Sequence, residues 1–131
     1  MAKILVAEDD HAVRDFVRRA LELSGHTVVV AHDGAEAAAA LKPRDADYDL
    51  LLADIKMPVM DGIALALCAA RDRPDLPILL MTGYADQRER AHGLDRLIDD
   101  VIAKPFTLDE IAAKVDQALG RGGAEERRAR T

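Results

Sequence analysis

Apolar residues gather in five short runs, Lys3–Ala7, Thr27–Ala31, Asp49–Ala53, Ile78–Met81 and Asp100–Ala103. The runs are nearly continuous rather than alternating, the pattern of parallel strands covered on both faces. Between them the apolar spacing lengthens. Val13, Phe16, Val17, Ala20 and Leu21 recur at i, i+3, i+4, i+7 and i+8, one face of a helix that Gly25 can close. "HDGAEAAAAL" is Ala-rich with Asp33 as N-cap, and Ile63 to Ala70 is apolar on all sides. Thr107 and Glu110 spell a T-x-x-E capping box ahead of an Ile111, Val115, Leu119 stripe. A fourth helical pattern, in "YADQRERAHGLDRL", is polar and has few anchors, so it predicts a weakly packed element.

Strand and helix thus alternate five times. Right-handed crossovers make a doubly wound, five-stranded parallel α/β sheet with helices on both faces the economical solution, and order 2-1-3-4-5 sets the first and third strands side by side. Residues 1–120 predict one such domain, and 121–131 predict a disordered charged tail.

The chain has 131 residues, enough for one core that buries roughly two-thirds of the extended surface. Aromatic residues are only 3%, so Ala, Val, Leu and Ile must build that core. A net charge of −6 argues against nucleic acid as a direct partner, since phosphate backbones need a basic stripe. One cysteine, Cys68, excludes an intrachain disulfide and reads as a small buried hydrophobe. No signal-peptide pattern or membrane-length apolar run is present, so the expected location is cytoplasmic, with no membrane partner.

Polar residues fall where four of the strands end: Glu8-Asp9, Asp54, Thr82 and Lys104. All lie at the carboxyl edge, where open parallel sheets bind ligands. "AEDDHA" after the first strand has no glycine and three acids, so it cannot cradle a dinucleotide pyrophosphate. Crowded carboxylates also resist ionising together. A hard divalent cation, Mg²⁺, resolves both difficulties by joining carboxylates to phosphoryl oxygens. Lys104 and Thr82 can then meet the oxygens of a phosphoryl group carried on Asp54. Asp10 reads as a helix N-cap instead. His11, His26, His32 and His92 do not cluster and read as solvated or capping.

"ILVAEDD", "DIKMPVMDG", "MTG" and "AKPF", in this order over residues 3–119, resemble the two-component response-regulator receiver domain. The resemblance implies that Asp54 accepts phosphate from a histidine kinase or a histidine phosphotransferase. It implies that Asp9 binds Mg²⁺ directly, Glu8 through water, and Lys56 through its backbone carbonyl. It assigns Thr82 as the switch hydroxyl and Lys104 as the phosphoryl-contacting lysine. It also implies a cis Lys104–Pro105 bond, a metal-shaping "MPVMDG" loop with an Asp61-Gly62 turn, and an effect of Lys56 and Tyr84 on phosphate lifetime. The implied output surface is the fourth helical pattern, the fifth strand and the last helix. Many receivers carry Tyr or Phe three residues before the lysine, but Val101 stands here and has no ring to swing.

Residues 58–95 further resemble stand-alone CpdR-type regulators, which implies a downstream partner in the ClpX protease machinery. Two rivals stay open: the receiver half of a longer DNA-binding or enzymatic regulator, and an aspartate-nucleophile phosphatase. The latter wants a second acid where Lys56 stands.

Overall fold

In the computed structural model, residues 1–43, 45–83, 94 and 97–121 are described. The elements run β1 (Lys3–Ala7), α1 (His11–Leu23), β2 (Thr27–Ala31), α2 (Gly34–Leu41), β3 (Leu50–Asp54), α3 (Gly62–Asp72), β4 (Ile78–Thr82), β5 (Asp100–Ala103) and α4 (Leu108–Arg121). All five strands are parallel, in the order β2-β1-β3-β4-β5. β3 starts one residue later than its apolar run suggests, and it ends on Asp54 itself. β4 likewise extends through Thr82. The sheet ladder therefore includes two of the polar positions expected just beyond it.

The continuous apolarity of the central strands has a direct cause. Leu5, Ala7, Leu51, Ala53, Ile78 and Leu80 join a core shared with α2 and α3. Their alternate neighbours Ile4, Val6, Leu50, Leu52, Leu79 and Met81 join a second core with α1 and α4. Each strand therefore feeds both layers, which leaves no polar face.

The helix ends follow local chemistry. Asp10 caps α1 by accepting from the Ala12 and Val13 amides. Asp33 caps α2 by accepting from Glu36 N–H. Thr107 and Glu110 exchange hydrogen bonds of 3.0 and 3.1 Å, the capping box complete. Gly25, at φ +93°, turns the chain out of α1. In α4 the buried stripe is Ile111, Val115 and Ala118, while Leu119 is only half-buried.

Several expectations need correction. Asp61-Gly62 is a cap rather than a free turn: Asp61 accepts from Ala64 N–H and Gly62 opens α3. His26 is not solvated; its side chain is 8% exposed and Nδ1 accepts from Ala2 N–H at 3.1 Å. Cys68 is half-buried rather than sealed in the core. The fourth helical pattern (84–93, 95 and 96), with Tyr84 and His92, and the tail from 122 onward lie outside the described residues. Among the described residues no helix is long and apolar enough to cross a membrane.

Candidate functional site

Ala7 and Ala53 are register partners in the β1–β3 ladder. One step further along each strand stand Glu8 and Asp54, so the register itself sets these acids side by side. Alternation places both on the α1–α4 side of the sheet, and Lys104, one residue past β5, shares that side. Glu8 is fully buried, Asp54 is 5% exposed and Asp9 is exposed. One carboxylate oxygen from each of Glu8, Asp9 and Asp54 lies within 4.8 Å of the other two.

Lys104 lies across this cluster. Its Nζ is 3.2 Å from Glu8 Oε1 and 3.2 Å from Asp54 Oδ2. The Lys104 amide also donates to Thr82 C=O at 2.8 Å, which ties the β5–α4 loop to β4. The Lys104–Pro105 bond is cis, as the resemblance implies. Together these residues line a cleft of about 510 Å³ with Asp10, Lys56, Gly83 and Pro105.

Thr82 is not among the described lining residues. It is buried at the end of β4, and alternation assigns it to the α2–α3 side. A second hollow, lined by Val13, Phe16, Pro105 and Phe106, adjoins the cleft through Lys104. Phe106 packs there against Phe16 with ring centroids 6.3 Å apart, a packing role.

The electrostatics of the cleft follow from burial. Desolvation pushes the Glu8 carboxyl up to about 8, the neighbouring Asp54 adds to the rise, and Lys104 only partly opposes it. Burial pulls the Lys104 ammonium down, but Asp54 and Glu8 outweigh that and hold it above the ordinary lysine range. Glu8 Oε2 is buried with no hydrogen-bond partner among the described residues. An oxygen so placed costs free energy unless a proton or a cation meets it. Three converging carboxylates, one with an unmet buried oxygen, form an all-oxygen donor set that fits Mg²⁺.

The loop after Asp54 is held by two close contacts. Gly62 N–H donates to Ile55 C=O at 2.8 Å, and a Cβ on Gly62 would stand 2.2 Å from the Asp54 carbonyl oxygen. A Cβ on Gly34 would stand 2.0 Å from the Met60 carbonyl oxygen. Only glycine permits either approach.

Sequence reading does not anticipate Lys104 as a bridge between Glu8 and Asp54. It also misses Asp99, a buried acid whose Oδ2 accepts from Ile78 N–H at 2.8 Å. The sole signal for Asp99 is an acid set against an apolar run in "LIDDVIA".

The family model described as response regulator receiver domain matches residues 4–116. Response regulator MprA of Mycobacterium ulcerans (strain Agy99) is 41% identical over 125 residues, which cover 95% of this chain and 53% of that protein. The chain thus spans about half the length of the curated relatives it matches. The Francisella response regulator 1452 receiver domain is similar in structure, with TM-score 0.81 and 30% identity over 92% of this chain and 98% of that one. A CheY-like receiver domain protein from Methanospirillum hungatei JF-1 gives TM-score 0.83 at 28% identity, covering 100% and 99%.

Proposed function

This chain belongs to the response regulator receiver domain family of two-component signalling, and from that membership we propose that Asp54 is its phosphoacceptor. A histidine kinase or a histidine phosphotransferase presents a phosphorylated histidine at the cleft. An Asp54 carboxylate oxygen attacks phosphorus, the N–P bond breaks and an O–P bond forms. The imidazole leaves with the bonding electrons and takes up a proton. The observation that carries this reading is the meeting of Asp54 with Glu8, Asp9 and Lys104 in one cleft.

Each residue has a part. Lys104 turns its ammonium from the two carboxylates to a phosphoryl oxygen, and the Thr82 hydroxyl, which starts on the α2–α3 side, must swing across the end of β4 to donate to another. Asp9 directly, Glu8 through water, Asp54, and the Lys56 backbone carbonyl would hold Mg²⁺, which supplies positive charge against the phosphoryl oxygens. Among the described residues nothing lies within 4 Å of where a Cβ on Gly83 would stand, so none of them crowds the cleft at that position. Asp54 takes one group and holds it, so the domain is a phosphoacceptor that assists its own phosphorylation and dephosphorylation. A phosphatase of the aspartate-nucleophile type would need a second acid at position 56, where a lysine lines the cleft.

The phosphorylated state then changes affinity for a protein partner through residues 84–97, β5 and α4. Because the chain spans 53% of the M. ulcerans relative, a receiver coupled to a further domain is the second reading. The narrower CpdR-type reading, with the ClpX machinery as partner, draws support from the likeness of residues 58–95 alone. Whether the gene continues past Thr131 separates the two.

The test is incubation with Mg²⁺ and phosphoramidate followed by intact mass. Wild type should gain one phosphoryl group and Asp54→Ala none. Equal gain in both, or none in either, overturns the assignment.

A further inference from the structure

Val59 adopts φ +70°, and Met60 N–H donates back to Pro58 C=O at 2.8 Å. This three-residue turn about a positive φ is rare and strained. A β-branched side chain is among the worst residues to place in it. Glycine or asparagine meets the same backbone with little or no penalty. Among the described residues the valine buries little in return, since it is 85% exposed.

The loop that carries it is fixed on both sides. The Met60 carbonyl occupies the space a Gly34 side chain would take, and Gly62 is pressed against the Asp54 carbonyl. The Gly62 N–H bond to Ile55 C=O closes the loop at its base. Val59 is therefore displayed on a rigid support, with exposed Pro58 beside it. Lys56, three residues earlier, lines the cleft. Chain reach keeps Val59 within about 11 Å of it.

Strain retained at a residue this exposed points to a use outside the chain. We propose that Val59 is a specificity contact, an apolar knob read by the protein that brings a phosphorylated histidine to the cleft. The proposal rests on Asp54 being the phosphoacceptor. A donor that places its histidine over Asp54 must cover Lys56 at the cleft, and the chain runs on from Lys56 to Val59. Asp9 and Asp10 line the same cleft and make it acidic, so an apolar contact beside it discriminates donors by shape where charge already attracts any basic surface.

The test compares Val59→Asn, Val59→Gly and Val59→Ile in two arms. In the first, phosphoramidate with Mg²⁺ labels Asp54, and all three variants should match wild type within about two-fold. The second uses the histidine kinase cores encoded in the same genome, each autophosphorylated with ATP, taking the core that transfers fastest to wild type. Val59→Asn and Val59→Gly should accept phosphate from it at least about ten-fold more slowly, while Val59→Ile keeps the wild-type rate. Equal kinase rates in all four proteins overturn the proposal. Loss of labelling by phosphoramidate in wild type itself overturns the phosphoacceptor reading beneath it.

Discussion

Lys104 and Glu8, 96 positions apart in sequence, meet through an Nζ–H bond to Oε1 of 3.2 Å. The same ammonium is 3.2 Å from Asp54 Oδ2. One cation thus serves two acids that a metal would also use. Exchanging Lys104 for methionine keeps much of the stem and removes that competitor. Mg²⁺ affinity of Lys104→Met should rise several-fold by titration, while phosphoramidate labelling of Asp54 should slow by about ten-fold or more. A variant that binds Mg²⁺ no better than wild type would show that the lysine does not contend for the site.

The buried acid gives a pH signature. Glu8 releases its proton near 8 when folded, against an ordinary value of 4.5, chiefly because burial disfavours its charge. Between those values the folded chain holds a proton that the unfolded chain has lost. Metal-free stability therefore falls as pH rises through this window. Urea unfolding in chelator at several pH values should show the fall, and Glu8→Gln should flatten it. Because Mg²⁺ competes with that proton, its affinity should climb with pH over the same interval.

Two glycines offer a matched pair. Gly62→Ala drives a Cβ to 2.2 Å from the Asp54 carbonyl oxygen and 2.8 Å from Ile55 Cα, both backbone atoms that cannot step aside. A loss of about 2–3 kcal/mol in denaturant unfolding is expected, together with slower labelling of Asp54. Gly83→Ala meets nothing within 4 Å among the described residues. It should leave stability unchanged within about 0.5 kcal/mol.

Val59 predicts a gain instead. Asparagine tolerates a positive φ, so Val59→Asn should stabilise the domain by about 1 kcal/mol in the same unfolding experiment. A destabilised variant would mean that the valine side chain makes a contact its exposure does not suggest.

Much of this is legible in the sequence. Strand parallelism followed from apolar runs without alternation, and the caps at Asp10, Asp33 and Thr107 from short-range chemistry that needs no tertiary partner. The acids at the carboxyl edge followed from strand ends, since topology alone brings β1 and β3 together. What stayed hidden depends on depth and distance. His26 looks like any surface histidine until Ala2, just ahead of β1, donates to its ring and the side chain is buried. The Lys104–Glu8 contact joins the residues that follow β1 and β5, strands that are not neighbours in the sheet. Asp61-Gly62 has the composition of a turn, and it becomes a helix start because Asp61 accepts from Ala64 N–H while Gly62 fits against the Asp54 carbonyl.

The pairing of Ala7 with Ala53 has a consequence beyond placing two acids. A slide of one position between these ladders would turn one carboxylate toward the opposite layer and dissolve the cluster. What forbids the slide is the interleaving of Ile4, Leu5, Val6, Leu51 and Leu52 with helices on either side. Aliphatic residues far from any ligand thus keep the alignment on which the charged groups depend. A substitution deep among them could silence the domain while every polar residue stayed in place.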